Sequence, residues 1–207
     1  YLAGKSTKII CGTFADGTSI GVRLETYKRT FTSGFTTNNS SAAATDFFTA
    51  DIDGITMGMM DGEVIFSYSG ALYVECSWVW NDENDETKGG HVVKTTKLAT
   101  NVTNYNGQTS LTDGWYLLRD YTHTSYSKRL VIKGDVKLIL QDDCRDEFEE
   151  GIHIEKDKTL TIYGQSQGTG ILYCTGDDGS ASNGDAAIGG NNEVKGGHLV
   201  IHGGVIE

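Results

Sequence analysis

The sequence predicts an all-β protein, and three observations carry that prediction. Apolar and polar residues alternate in short runs broken by Gly, Asn and Asp, the signature of strands and turns. Helical periodicity is confined to two short stretches, residues 41–48 and 142–150. A motif of two aliphatic residues and a glycine recurs in the second half: Leu130-Val131-Ile132-Lys133-Gly134, Leu160-Thr161-Ile162-Tyr163-Gly164 and Leu199-Val200-Ile201-His202-Gly203.

Residues 1–100 read as a β-rich, sandwich-like antiparallel domain. Its strand candidates are residues 19–24, 54–59, 63–68 and 71–80, filled with the β-branched and aromatic residues that suit a pleated surface. The acidic run 81–90 reads as a long hairpin loop, and residues 101–110 as a linker.

From 111 onward the repeat dominates. Each motif is preceded by a short apolar strand (114–118, 151–154, 186–188) and followed by another (136–140, 171–174, 205–206). Three short strands with glycine at the bends make one coil, and a single coil cannot bury its inner face. Stacking coils into three parallel sheets solves both burial and backbone pairing. The inward positions are then Ile152, Ile154, Leu160, Ile162, Leu172, Ile188, Leu199 and Ile201. The chain has 27 glycines and no proline. Glycine suits the corners, and a strand paired on both edges has no place for a residue lacking an N–H. Gly203-Gly204-Val205-Ile206 reads as a turn entering an unpaired strand, so the last coil is read as incomplete and its edge as an assembly surface.

Residues 113–118, 129–140, 151–154, 160–165, 168–170, 186–190 and 201–204, in that serial order, resemble the β-helix domains of secreted and surface proteins of anaerobic and gut bacteria, often described as carbohydrate-binding. The likeness covers about residues 111–207. It implies a right-handed parallel β-helix of about three coils and an extracellular or cell-surface location.

The cysteines, Cys11, Cys76, Cys144 and Cys174, have no zinc-finger spacing. An even count in a secreted chain suits two bridges, Cys144–Cys174 between coils and Cys11–Cys76 in the first half; four buried thiols are the alternative. Asp142, Asp143 and Asp146 crowd one turn, and Asp177, Asp178 and Asp185 occupy the equivalent place further on. Stacked carboxylates suit calcium, although a solvated acidic face is the preferred reading, and no cofactor is expected. His198 and His202 share strand parity without a matching carboxylate. Trp78, Trp80, Trp115 and Tyr116 are candidate sugar platforms, although core packing is the preferred reading for Trp78 and Trp80, which share a strand face. Asn38, Asn39 and Asn101 begin N-x-S/T sequons.

A net charge of −11 without a basic block excludes a nucleic-acid binder, and no run is long enough for a membrane helix. No HExxH, P-loop or dinucleotide motif is present, and no carboxylate pair stands out. The reading is a non-enzymatic extracellular or surface protein that binds glycan or matrix, or acts as a spacer. The alternatives are a filament subunit assembled head-to-tail through its open strand edge, and a truncated carbohydrate-active enzyme.

Overall fold

A computed structural model of the chain describes residues 8–22, 30–82, 86–176, 184–191 and 194–207. Asp177 and Asp178, and residues 83–85 of the expected hairpin loop, lie outside the described residues. The chain divides into two compact units, Tyr1–Gly70 and Ala71–Glu207. The division therefore falls well before the expected linker.

The first unit holds β1 (Ile9–Ile10), β2 (Ile20–Val22), β3 (Thr32–Ser33), β4 (Phe48–Ala50), β5 (Thr56–Met60) and β6 (Glu63–Ser67), with one helical turn, α1 (Phe35–Asn38). Strand β1 pairs with β3 and β2 with β4, both parallel, while β5 and β6 form an antiparallel hairpin. The antiparallel expectation thus holds for one of the described strand pairs of this unit and not for the other two. The predicted helix at 41–48 shrinks to a 3-10 turn, Ala44–Asp46. The Asp46 carboxylate accepts the Ala43 N–H at 2.7 Å and closes that turn. Phe48 then enters β4 to reach an aromatic core, packing edge-on against Phe31 at 5.3 Å, which in turn meets Phe66 at 4.7 Å.

Side-chain clamps tie this unit together. Gly34, with φ 80, precedes α1 and offers no cap of its own. Glu63 supplies it: Oε1 accepts Gly34 N–H at 2.6 Å, and Oε2 accepts the Thr32 hydroxyl at 2.7 Å and Phe35 N–H at 3.3 Å. These donors hold the Glu63 carboxyl below its ordinary range, although its burial pushes the other way.

The second unit opens with a long antiparallel hairpin, β7 (Ala71–Trp80) and β8 (Gly90–Ala99). The strands after it are β9 (Val102–Asn104), β10 (Ser110–Leu111), β11 (Gly114–Leu118), β12 (Thr124–Tyr126), β13 (Leu130–Ile132), β14 (Asp135–Leu140), β15 (Arg145–Phe148), β16 (Ile152–Ile154), β17 (Thr159–Gly164), β18 (Ile171–Cys174), β19 (Ile188–Gly189), β20 (His198–Ile201) and β21 (Val205–Ile206). They form a parallel β-solenoid of three sheets, in the orders β10-β13-β16-β19, β9-β11-β14-β17-β20 and β12-β15-β18-β21. The expected linker contributes β9, which pairs with β11, and the first residue of β10. The solenoid therefore starts earlier and has more turns than the three expected.

Register explains the burial. Val136, Leu160 and Leu199 stack in one row, and Leu138, Ile162 and Ile201 in the next. The rows fill a core in which Leu130, Ile132, Ile152, Ile154, Leu160, Ile162 and Leu172 are fully enclosed. Near the first turns, Tyr105, Tyr126 and Phe148 stack at 5.0 to 5.5 Å between ring centres. At the other end, Leu199 and Ile201 keep the inward register but remain 40% and 50% exposed.

The repeat frame differs from the sequence reading in one respect. Leu160 does align with Leu199, but Leu130 pairs with Ile152 and not with Leu160. The first motif lies in a different sheet from the other two. The strand that shifts the frame is β12, whose Thr-Ser-Tyr sequence carries no aliphatic residue. The predicted helix at 142–150 is also a strand: Asp146 and Phe148 are buried while Arg145 faces out, a period of two. Asp143, at φ 66, makes the bend that precedes it.

Two corner glycines are demanded by close approach. A Cβ on Gly170 would lie 2.5 Å from Gln141 O. Gly151 combines φ 69 with a Cβ position 2.3 Å from Ala187 O. Beside it, the Arg129 guanidinium donates to the carbonyls of Glu150 and Ala186 and to the Asn191 side chain, pinning the chain that leads into β19.

All four cysteines are free thiols. Register gives the reason for the coil pair. Cys174 sits beside Phe148, and Cys144 precedes Arg145, which pairs with Ile171. The two are thus offset along the strands by about 10 Å or more, at about 3.3 Å per residue, beyond disulfide reach. Burial pushes both thiols up to about 12, which leaves them neutral. Cys11 is buried in the first unit and Cys76 lies half-buried in β7 of the second; neither is bridged.

Candidate functional site

The hairpin β7–β8 has two different halves. Near its base, Ala71, Tyr73 and Ala99 pack on the outer face of the solenoid against Ile139 and Tyr163. Tyr73 contacts Trp115 and Tyr163, each at 4.7 Å. Gln165 donates to Leu72 O at 2.9 Å. His202 stacks on Tyr163 at 4.8 Å with rings 2° from parallel, and its Nδ1 meets the Cys76 backbone. This cluster grips the hairpin. Strand parity alone does not reveal this role of His202, because the partner strand lies far away along the chain.

Beyond the base the hairpin exposes large apolar side chains. Trp78, Trp80 and Val92 share one face by strand alternation and pairing. They are 54%, 42% and 53% exposed. The two indoles meet edge to face, with centroids 5.7 Å apart and planes at 83°. Trp78 rests on Gly90: a Cβ there would sit 2.6 Å from its Cε2. The far end is braced by polar contacts. Asn81 donates to Lys88 O at 2.9 Å and accepts from His91 Nδ1 at 3.1 Å, and Lys88 pairs with Asp82 at 2.7 Å. The result is an aromatic corner held on a braced ribbon. Such a surface offers one indole face for the C–H side of a sugar ring and a second indole as a wall.

The other two platform candidates are not open. Trp115 is half-buried under the hairpin base, with Lys137 Nζ 5.4 Å over its ring. Tyr116 stacks in register with Leu138 and packs against the solenoid interior. Core packing therefore accounts for Trp115 and Tyr116, and exposure singles out Trp78 and Trp80.

The three aspartates of the calcium reading diverge. Asp142 accepts the backbone N–H groups of Gln167 at 3.1 Å and Gly168 at 2.9 Å, stapling one turn to the next. Asp143 accepts from the Thr169 hydroxyl at 2.9 Å. Asp146 points into the solenoid, where it accepts from the Tyr126 hydroxyl at 3.1 Å. Among the described residues, no group of His, Cys, Asp and Glu side chains could hold a metal ion. No helix among them is long and apolar enough to cross a membrane.

The sequons separate as well. Asn39 is buried; it accepts Phe14 N–H at 2.9 Å and donates to Gly12 O at 2.9 Å and Phe35 O at 3.3 Å. Asn38 donates to Cys11 O at 2.8 Å and Gly34 O at 3.0 Å. A glycan on Asn39 would displace buried bonds, so in the folded chain it is not an available acceptor. Asn101 is exposed in a left-handed turn after β8.

At the expected assembly edge, Gly203 and Gly204 turn the chain into Val205 and Ile206. One edge of β21 pairs with β18, and its Val205, like Val200 of β20, is exposed.

No protein-family model, no curated protein and no solved structure matches this chain.

Proposed function

We propose that this chain is a non-enzymatic extracellular or cell-surface protein whose β-solenoid displays an aromatic hairpin for glycan or matrix binding. The observation that carries the reading is the exposed Trp78–Trp80 corner. Buried aromatics are explained by stability, but two adjacent tryptophans that stay open on a braced ribbon contribute little to folding. The winding is right-handed, the hand that parallel crossovers favour. The test is glycan-array and matrix-component binding by the intact chain, beside Trp78→Ala and Trp80→Ala. The expected result is binding that falls at least tenfold in either variant with unchanged thermal stability. Binding that survives both substitutions, or a chain that binds no glycan or matrix component, overturns the reading.

A second reading, head-to-tail assembly, is favoured by the exposed Leu199, Val200 and Ile201 of β20. Their stacked neighbours Leu160 and Ile162 are fully buried. A parallel edge with apolar inward residues accepts another strand, whether a further coil or a second copy. Negative-stain images showing fibres, abolished by Val200→Glu, support it; a monomer at high concentration in sedimentation overturns it.

A further inference from the structure

Asp146 is the polar residue that does not fit the solenoid interior. Its parity in β15 points it inward, beside Phe148, and it is 1% exposed. In its row stand Thr124 on one side and Leu172 on the other. The Tyr126 hydroxyl donates to Oδ1 at 3.1 Å, while Oδ2 has no hydrogen-bond partner among the described residues. Among the described residues, no basic side chain is buried in the core beside it. The groups that face it are Tyr126 from β12, Asp120 and His123 from the connection between β11 and β12, Tyr105 after β9, and Cys144 just before β15. Strand β18 presents Leu172 at the paired position and Cys174 two residues on. Three of these groups are phenols or a thiol, one is a second carboxylate, and His123 is already engaged by Glu147 at 3.0 Å on the outside.

An isolated buried carboxylate is costly, and a neutral carboxylic acid in the same place is far less so. We propose that Asp146 is a proton-uptake site that tightens the solenoid around β12, β15 and β18 on mild acidification and loosens it at neutral pH. The direction follows from burial. Desolvation, with the Asp120 charge adding to it, raises the Asp146 carboxyl to about 6, against the pull of the Tyr126 hydroxyl, the Asp120 backbone and His123. An unfolded aspartate titrates near 3.9. Above about pH 6 both states are ionised, and the fold carries the full burial penalty. As pH falls toward about 4, the folded state binds the proton first, so stability rises on acidification. The gap corresponds to a gain of about 100-fold in the folding constant across that window.

All three tryptophans lie in the second unit, so indole fluorescence reports its unfolding. The experiment is urea unfolding of the full chain from pH 4 to pH 8, comparing the native sequence with Asp146→Asn. The native chain is expected to gain stability on acidification. The variant is expected to be the more stable of the two at pH 7.5, by between 10- and 100-fold in the folding constant, and to lose that advantage by pH 4. His123→Gln, which removes the imidazole that faces this carboxyl, is expected to keep the native slope. A carbon-13 carboxyl titration of the native chain reads the same site without any substitution, and a midpoint near 6 is expected. A midpoint near 4 overturns the proposal. So does a native-to-Asn difference that does not change with pH, or a slope abolished by His123→Gln and retained by Asp146→Asn.

Discussion

The two units of this chain are held together in different ways. In the solenoid, one instruction is repeated: aliphatic residues stack in register, and each strand pairs with its equivalent in the next coil. In the first unit little repeats. Strands of two to five residues surround a phenylalanine cluster, and Glu63, Thr32, Asn38 and Asn39 satisfy backbone groups that no ladder reaches. A stacked fold spreads its stability over many equivalent contacts, whereas an aperiodic one concentrates it in individual side chains. Polar residues are therefore replaceable along the outer faces of the coils and indispensable at the clamps of the first unit.

The largest effect that would test this contrast is a cavity in the stack. Phe148→Ala removes a fully buried ring that packs against both Tyr105 and Tyr126. The expected cost is about 3–5 kcal/mol in urea unfolding followed by indole fluorescence. A cost below about 1 kcal/mol would mean that the rings are not a continuous core. Next is the polar clamp. Asn39→Ala orphans the Phe14 amide and the Gly12 carbonyl, while Phe35 O keeps the Asn39 backbone N–H. It is expected to cost about 2–3 kcal/mol and to expose the Phe14 amide to fast hydrogen exchange. Protection that persists would show that packing alone holds that segment.

Glycine sharpens the same contrast. Gly170→Ala drives a methyl into the backbone of the preceding coil and is expected to cost about 1–3 kcal/mol. Gly12→Ala meets nothing within 4 Å and is expected to stay within about 0.5 kcal/mol of the native chain. Equal effects would erase the distinction between stacked and unstacked regions. The smallest effect concerns the thiols: with all four cysteines free, a reducing agent should leave the melting temperature of both units unchanged. A fall on reduction would reveal a bridge.

The solenoid was legible because its interior is written in period-two aliphatic residues. Leu160 and Leu199, predicted as equivalents, do stack, and the hairpin strand 71–80 falls on β7. The frame slipped at β12 because a strand of Thr-Ser-Tyr buries itself through an aromatic ring and carries no aliphatic signal. The 142–150 stretch looked helical because Asp146, an inward residue, is charged. The same residue is a polar intrusion among the described residues of the interior. At the candidate site, strand parity placed Trp78 and Trp80 together. Nothing local could separate them from Trp115 and Tyr116, since exposure depends on which face of the solenoid the hairpin covers.

The corners of the solenoid differ from its strands in one further respect. Gly114 stacks on Val136, Asp135 on Thr159, and Thr159 on His198, so each successive turn uses more chain to return to the same place. The added residues enter between strands and leave the aliphatic rows in step. Variation in this molecule is thereby modular: a lineage, or an engineer, can lengthen a corner and graft new recognition chemistry there without rewriting a single interior residue.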